Sequence, residues 1–143
     1  MKTLLFDASS IMQLTKRHPD KASIRLEGEL LLDLTIYEVG NAIWKITKLI
    51  KKSDKSTALE AVTQAYHLTA LMEVTKVEGV EGLTGTMEIA FDEGMSFYDS
   101  AYLHTARRMG LTLVTADERL LKRAIDVGVN CVKVDNLKLE PLT

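Results

Sequence analysis

The chain has 143 residues, 46% of them hydrophobic, which suits one soluble domain spanning 1–143 around a single core. Its 18 basic and 20 acidic residues give a net charge of −2. That excludes the basic balance of a general nucleic-acid binder, but not a local basic rim beside an acidic site. The one cysteine, Cys131, excludes an internal disulfide, and no apolar run approaches the roughly 20 residues of a membrane span, so a cytoplasmic protein is expected.

In chain order, MKTLLFDASS resembles a signal peptide for only a few residues, because its apolar stretch stops at Asp7. Residues 2–6 therefore read as a first strand and Asp-Ala-Ser-Ser as the turn into a helix. Residues 30–34 read as a second strand. Ile36, Val39, Ile43, Ile46 and Ile50 then follow the three-and-four spacing of an amphipathic helix. A second helix over 57–71 comes after Ser53-Asp54, and residues 72–78 suggest a strand. Gly79, Gly82 and Gly85 suggest a loosely structured approach to a helix near 86–92 that Gly94 ends. A helix over 97–109 closed by Gly110, a strand over 111–115, a helix over 117–127 closed by Gly128 and a last strand over 130–134 complete the chain. Strands alternating with helices imply a mainly parallel sheet covered on both faces.

Asp7, Glu38, Asp99 and Asp117 each fall near a strand-to-helix junction. In a parallel sheet the carboxyl ends of the strands share one edge, where ligands bind near the switch in winding direction. Each acid also has an ordinary explanation. Asp7 can cap the first helix, Thr35-x-x-Glu38, Ser96-x-x-Asp99 and Thr115-x-x-Glu118 have capping-box spacing, and Asp117 suits the positive end of a helix. Capping, however, does not require the acids to share an edge. Two carboxylates about 4 Å apart repel by roughly 1 kcal/mol in water and about 4 kcal/mol at an effective dielectric of 20. A cation or a retained proton offsets that cost. Oxygen ligands without nearby His or Cys suit Mg²⁺ or Mn²⁺, and so metal-assisted phosphodiester chemistry. No GxSxG, Cys-His pairing or phosphate loop offers another nucleophile or anion site. Cys131 lies in the apolar run VNCVKV and reads as a structural thiol; His18, His67 and His104 lack metal-ligand spacing.

The segments LLFDASSIMQL, LTIYEVGNAIWK, SFYDSAYLHTARRMG and LTLVTADERLLKRA resemble the ordered motifs of PIN-domain nucleases, above all the VapC toxins of prokaryotic toxin–antitoxin pairs. The resemblance runs from Lys2 to about Asn136. It implies a three-layer α/β/α sandwich around a mainly parallel sheet of four to five strands, usually assembled as a homodimer. It also implies an Mg²⁺- or Mn²⁺-dependent endoribonuclease that cleaves tRNA or rRNA and is blocked by a cognate antitoxin. Asp7, Glu38, Asp99 and Asp117 match the family's metal-site acids. Ser9 and Thr115 match its small hydroxyl residues, expected to position water or a phosphate oxygen. On that basis Asp7, Asp99 and Asp117 hold one or two ions, while Glu38 binds through water or orients the attacking water. Where some members carry a further Asp two positions after the fourth acid, this chain has Arg119. Rim contacts to RNA are expected from Lys16, Arg17, Lys45, Arg107, Arg119 and Lys122.

Two other classes compete. One is a catalytically silent PIN-like module that only binds a protein partner, which has no need of four acids in one place. The other is a phosphatase or phosphoacceptor domain. Against it, Asp7-Ala8-Ser9 replaces Asp-x-Asp, and no acidic pair follows the first strand.

Overall fold

Five short parallel strands form the centre of the molecule in the computed structural model, which describes residues 3–140. The chain runs through β1 (Leu4–Phe6), α1 (Ala8–Arg17), α2 (Ala22–Leu26), β2 (Leu30–Leu32) and α3 (Asp33–Trp44), which widens into a π-helical segment over Lys45–Ile50. It continues through α4 (Lys55–Thr69), β3 (Glu73–Thr75), α5 (Gly79–Glu93), α6 (Phe97–Met109), β4 (Thr112–Thr115), α7 (Glu118–Asp126) and β5 (Cys131–Lys133). The expected order of elements is found, with α2 as an addition. At five residues, α2 is too short to show a helical period.

Side-chain alternation along the strands sorts the helices into layers. Leu5, Leu30, Leu32 and Leu113 pack with Ile89 of α5, Ala101 and Leu103 of α6, and Leu120 and Ala124 of α7. Their neighbours Phe6, Leu31 and Val114 face the other way, against Ile11 and Leu14 of α1, Ala22 and Leu26 of α2, and Leu68 of α4. The period of two thus builds a three-layer α/β/α sandwich from strands that read as nearly continuous apolar runs.

The strand order is β3-β2-β1-β4-β5. The chain winds outward from β1 through β2 to β3, then crosses back by α5 and α6 to lay β4 on the other side of β1. The winding direction therefore switches between β1 and β4, and open α/β sheets bind ligands beyond such a point. The register pairs Leu5 with Leu113 and Phe6 with Val114, so Asp7, just past β1, and Thr115, the last residue of β4, stand side by side at the carboxyl edge of the sheet.

One expected element is corrected. Gly79, Gly82 and Gly85 do not form a loose approach; they lie inside α5, which begins at Gly79. A Cβ on Gly85 would stand 2.7 Å from Cε1 and 2.8 Å from Nδ1 of His104, so the missing side chain lets α6 press its imidazole against α5. Gly94 and Gly110 do close α5 and α6, both in the left-handed conformation, with φ of 62° and 67°.

This packing predicts a non-additive pair. In a His104→Ala background, Gly85→Ala should stabilise by up to about 1 kcal/mol through helix propensity. In the wild type the same change should be at least about 1 kcal/mol less favourable because of the ring. Denaturant melts of the four proteins measure the difference, and additive values would contradict the close approach.

Candidate active site at the carboxyl ends of β1 and β4

Asp7 begins the site. Its backbone N–H donates to the Val114 carbonyl (3.2 Å), which extends the β1–β4 ladder by one residue and carries the side chain between the two strands. The residue is 5% exposed, and a buried carboxylate needs donors. Oδ1 accepts from the Ser10 backbone N–H and the Ser9 hydroxyl, both at 2.8 Å. Oδ2 accepts from the Thr115 hydroxyl at 2.5 Å. Burial pushes the Asp7 carboxyl above its usual range, and the bonds from Thr115, Ser10 and Ser9 oppose that shift.

The same hydroxyls tie the two strand ends together. Ser9 Oγ accepts from the Ala116 N–H (3.0 Å) and lies 3.2 Å from Thr115 Oγ1, which in turn accepts from the Asp117 N–H (3.0 Å). Asp117 is the N-cap of α7, its Oδ1 accepting from the Arg119 N–H at 2.9 Å. Thr115 is therefore not a cap, and Glu118 pairs with Lys133 instead of closing a capping box. Ser96 does cap α6, accepting from the Asp99 N–H (3.1 Å), which sets Asp99 in the first turn.

Glu38 arrives differently. α3 begins after Leu32, and Thr35 sits in its first turn, where its hydroxyl accepts from the Leu32 N–H (3.2 Å). Glu38 is thus not the partner of a Thr35 cap. Its Oε1 accepts from the Tyr102 hydroxyl at 2.6 Å, and that hydroxyl also lies 2.6 Å from Thr35 Oγ1. Tyr102 is 1% exposed.

Asp7, Glu38, Asp99 and Asp117 line one cleft of about 360 Å³, together with Ser9, Asn41, Lys45 and Tyr102. They also share an electrostatic field. Burial raises the Glu38 carboxyl, the Tyr102 bond lowers it, and the charges of Asp7 and Asp99 raise it further. Burial raises Asp99, and Asp117 adds to the rise. Among the described residues no three His, Cys, Asp or Glu side chains converge tightly enough to enclose an ion as they stand. Their donor set nevertheless fits a hard divalent cation: it is all oxygen, mutually repelling and, among the described residues, without an ion-paired base on any of the four.

Of the expected basic rim, Lys45 lines the cleft and Arg119 lines an adjoining hollow. Arg17 ion-pairs with Asp135 at 3.0 Å. Lys16, Arg107 and Lys122 are exposed and line neither cavity. Ser9 lines the cleft; Thr115 is 1% exposed and turns to Asp7, so the structure gives it a holding role. Tyr102 and Asn41 were not singled out from sequence. Tyr102 stands three residues after Asp99, on the buried face of α6, and a buried phenol calls for a partner. The Cys131 thiol is half-buried, and burial with the nearby Asp7 charge pushes it up to about 12, an inert thiol.

No protein-family model matches the chain. It is 35% identical over 133 residues to Exonuclease VapC9 of Pyrobaculum aerophilum, covering 91% of this chain and 94% of that protein. It is also 27% identical over 127 residues to Ribonuclease VapC3 of the same organism, covering 84% and 93%. The crystal structure of PAE2754 from Pyrobaculum aerophilum superposes with a TM-score of 0.77 at 30% identity, covering 94% of this chain and 90% of that one. Fold, acid cleft and relatives agree: the chain belongs to the VapC family of PIN-domain nucleases.

Proposed function

We propose that this protein is an Mg²⁺- or Mn²⁺-dependent ribonuclease, the toxin of a toxin–antitoxin pair, acting on tRNA or rRNA as a homodimer held in check by a cognate antitoxin. The observation that carries the reading is the convergence of Asp7, Glu38, Asp99 and Asp117, from four separate stretches of chain, on one cleft. Among the described residues no helix is long and apolar enough to cross a membrane, which is compatible with work on cytoplasmic RNA.

Asp7, Asp99 and Asp117 would hold the cation, with Glu38 beside them. When bound, the ion supplies Lewis-acid polarisation of a phosphate oxygen and a lowered pKa for water. The protein's own part is positioning and proton handling. Thr115, Ser9 and the Ser10 N–H fix the Asp7 carboxylate in one orientation. Tyr102 occupies Oε1 of Glu38, leaving the second oxygen to accept a proton from water attacking phosphorus. Burial and the charges of Asp7 and Asp99 raise the proton affinity of Glu38, the direction that a base needs. As water adds, the bond from phosphorus to the leaving oxygen breaks. Lys45, at the start of the π-helical segment, borders the cleft and can meet a non-bridging phosphate oxygen.

The endonucleolytic mode expected from sequence stands beside a relative named as an exonuclease, and a circular RNA separates the two. With Mn²⁺, the wild type should cleave RNA, and Asp7→Asn or Asp99→Asn should cut the rate by at least about 100-fold. EDTA should abolish cleavage. Equal cleavage by wild type and variants would reduce the acids to caps. Mn²⁺ binding without cleavage of any RNA would favour a silent interaction module.

The electrostatics also set a direction for stability. An acid whose pKa is raised in the folded state binds protons more readily folded than unfolded, so its contribution is present at low pH and is lost as pH rises through the folded value. For Asp99 the window opens at the unfolded value, about 3.9, and extends upward. In EDTA at pH 7, Asp99→Asn should therefore raise Tm by about 2–4 °C, an advantage that shrinks towards pH 4. Millimolar Mn²⁺ should raise the wild-type Tm and the variant's much less. A lower Tm for Asp99→Asn in EDTA at pH 7 would show that its charge is not a cost to the fold.

A further inference from the structure

Beside the acid cleft lies a second hollow of about 210 Å³, and Asp99 and Asp117 are walls of both. Its other walls include Gly94, Ser96, Arg119 and Arg123. Arg119 and Arg123 stand four residues apart on α7, which brings them to one face. Among the described residues Arg119 makes no ion pair or side-chain hydrogen bond, although it lies close enough to Asp99 to pull its carboxyl down against burial. Arg123 has only a long, half-exposed contact with Glu93 at 3.7 Å, of the kind that holds a side chain weakly. The Ser96 hydroxyl accepts from the Asp99 N–H and keeps its own proton to donate. Guanidinium forks and a hydroxyl match the oxygens of a phosphate.

Resting on the nuclease reading above, we propose that this hollow is a phosphate subsite. Arg119, Arg123 and Ser96 grip the phosphate next to the one being cut, so that the nucleic-acid strand crosses the shared wall of Asp99 and Asp117 with its scissile linkage in the acid cleft. Lys45 borders the acid cleft and the two arginines the adjoining hollow, which gives the strand a path across both. Solvated arginines on a helix face are the plain alternative, and they make no distinction between one linkage and another.

The test uses the full chain carrying Glu38→Gln to slow cleavage, with Mn²⁺ and a short fluorescent single-stranded RNA. A neutral methylphosphonate is walked along the RNA, and binding is read by anisotropy. One position beside the cut should weaken binding about tenfold, as loss of a charged hydrogen bond would. Adding Arg119→Gln or Arg123→Gln should abolish that position's penalty and lower the salt slope by about one. Lys122→Gln removes the same charge from α7 but lines neither hollow, and it should leave the penalty in place. A penalty caused instead by removing a terminal phosphate also supports the subsite and assigns it to a chain end. If the arginine variants weaken binding equally at every linkage, or not at all, the subsite is overturned. Cleavage of unmodified RNA by the wild type is the separate control: its failure sinks the nuclease reading, whereas cleavage with a flat scan sinks only the subsite.

Discussion

The buried carboxylate of Asp7, set between the carboxyl ends of β1 and β4, is the constraint on which the rest of the site depends. Removing such a group from water is costly unless donors meet it. Here the donors are Thr115 from β4 and Ser9 and Ser10 from the first turn of α1. Satisfying Asp7 therefore fixes how both strands hand over to their helices. Asp117 follows two residues after Thr115 and is held by it, so its position descends from the same contact. The charge that remains still faces Glu38, which carries the repulsion on to Asp99 and from there to Asp117.

A capping role does not take an acid out of the cleft. Asp7 and Asp117 are true N-caps, each accepting a backbone N–H with Oδ1, and both line the cleft. A cap needs one lone pair of one oxygen, and a carboxylate offers about four sites. The cap also orients the remaining sites towards the same strand edge. The fold keeps several acids close together with no ion-paired base on any of them among the described residues, an arrangement that burial and mutual charge work against. A functional site commonly shows this trade of stability for chemistry.

Much of this was legible in the sequence because the signals were local. The apolar runs at Leu4–Phe6 and Leu30–Leu32, the alternation of strands with helices, and the stop glycines 94 and 110 each follow from short-range rules. Asp7 and Asp117 sit at the strand-to-helix junctions that composition marks. Glu38 and Asp99 do not: Glu38 lies in the second turn of α3, and Asp99 in the first turn of α6, which follows α5 and not a strand. Long-range packing was not legible. The run of Gly79, Gly82 and Gly85 suggests a loose approach to a helix, yet all three sit within α5, and Gly85 makes room for His104. Thr35 has the spacing of a cap, but α3 starts at Asp33, three residues before the Ile36 at which the apolar pattern begins. The Tyr102–Glu38 bond joins residues 64 apart, and nothing in either local sequence announces it. Where the basic residues stand is equally a tertiary matter: Lys45 borders the cleft and Arg119 the adjoining hollow, while Arg17 is taken up by Asp135.

The claim beneath all of this is that one cation-binding unit is built from Asp7, Asp99 and Asp117, with Glu38 alongside. Anomalous diffraction from crystals soaked in Mn²⁺ tests it most directly. The account predicts an anomalous peak in the cleft, bounded by Asp7, Asp99 and Asp117, that vanishes in Asp99→Asn crystals soaked the same way. A cleft without such a peak, or Mn²⁺ bound only at exposed acids elsewhere on the surface, would contradict it.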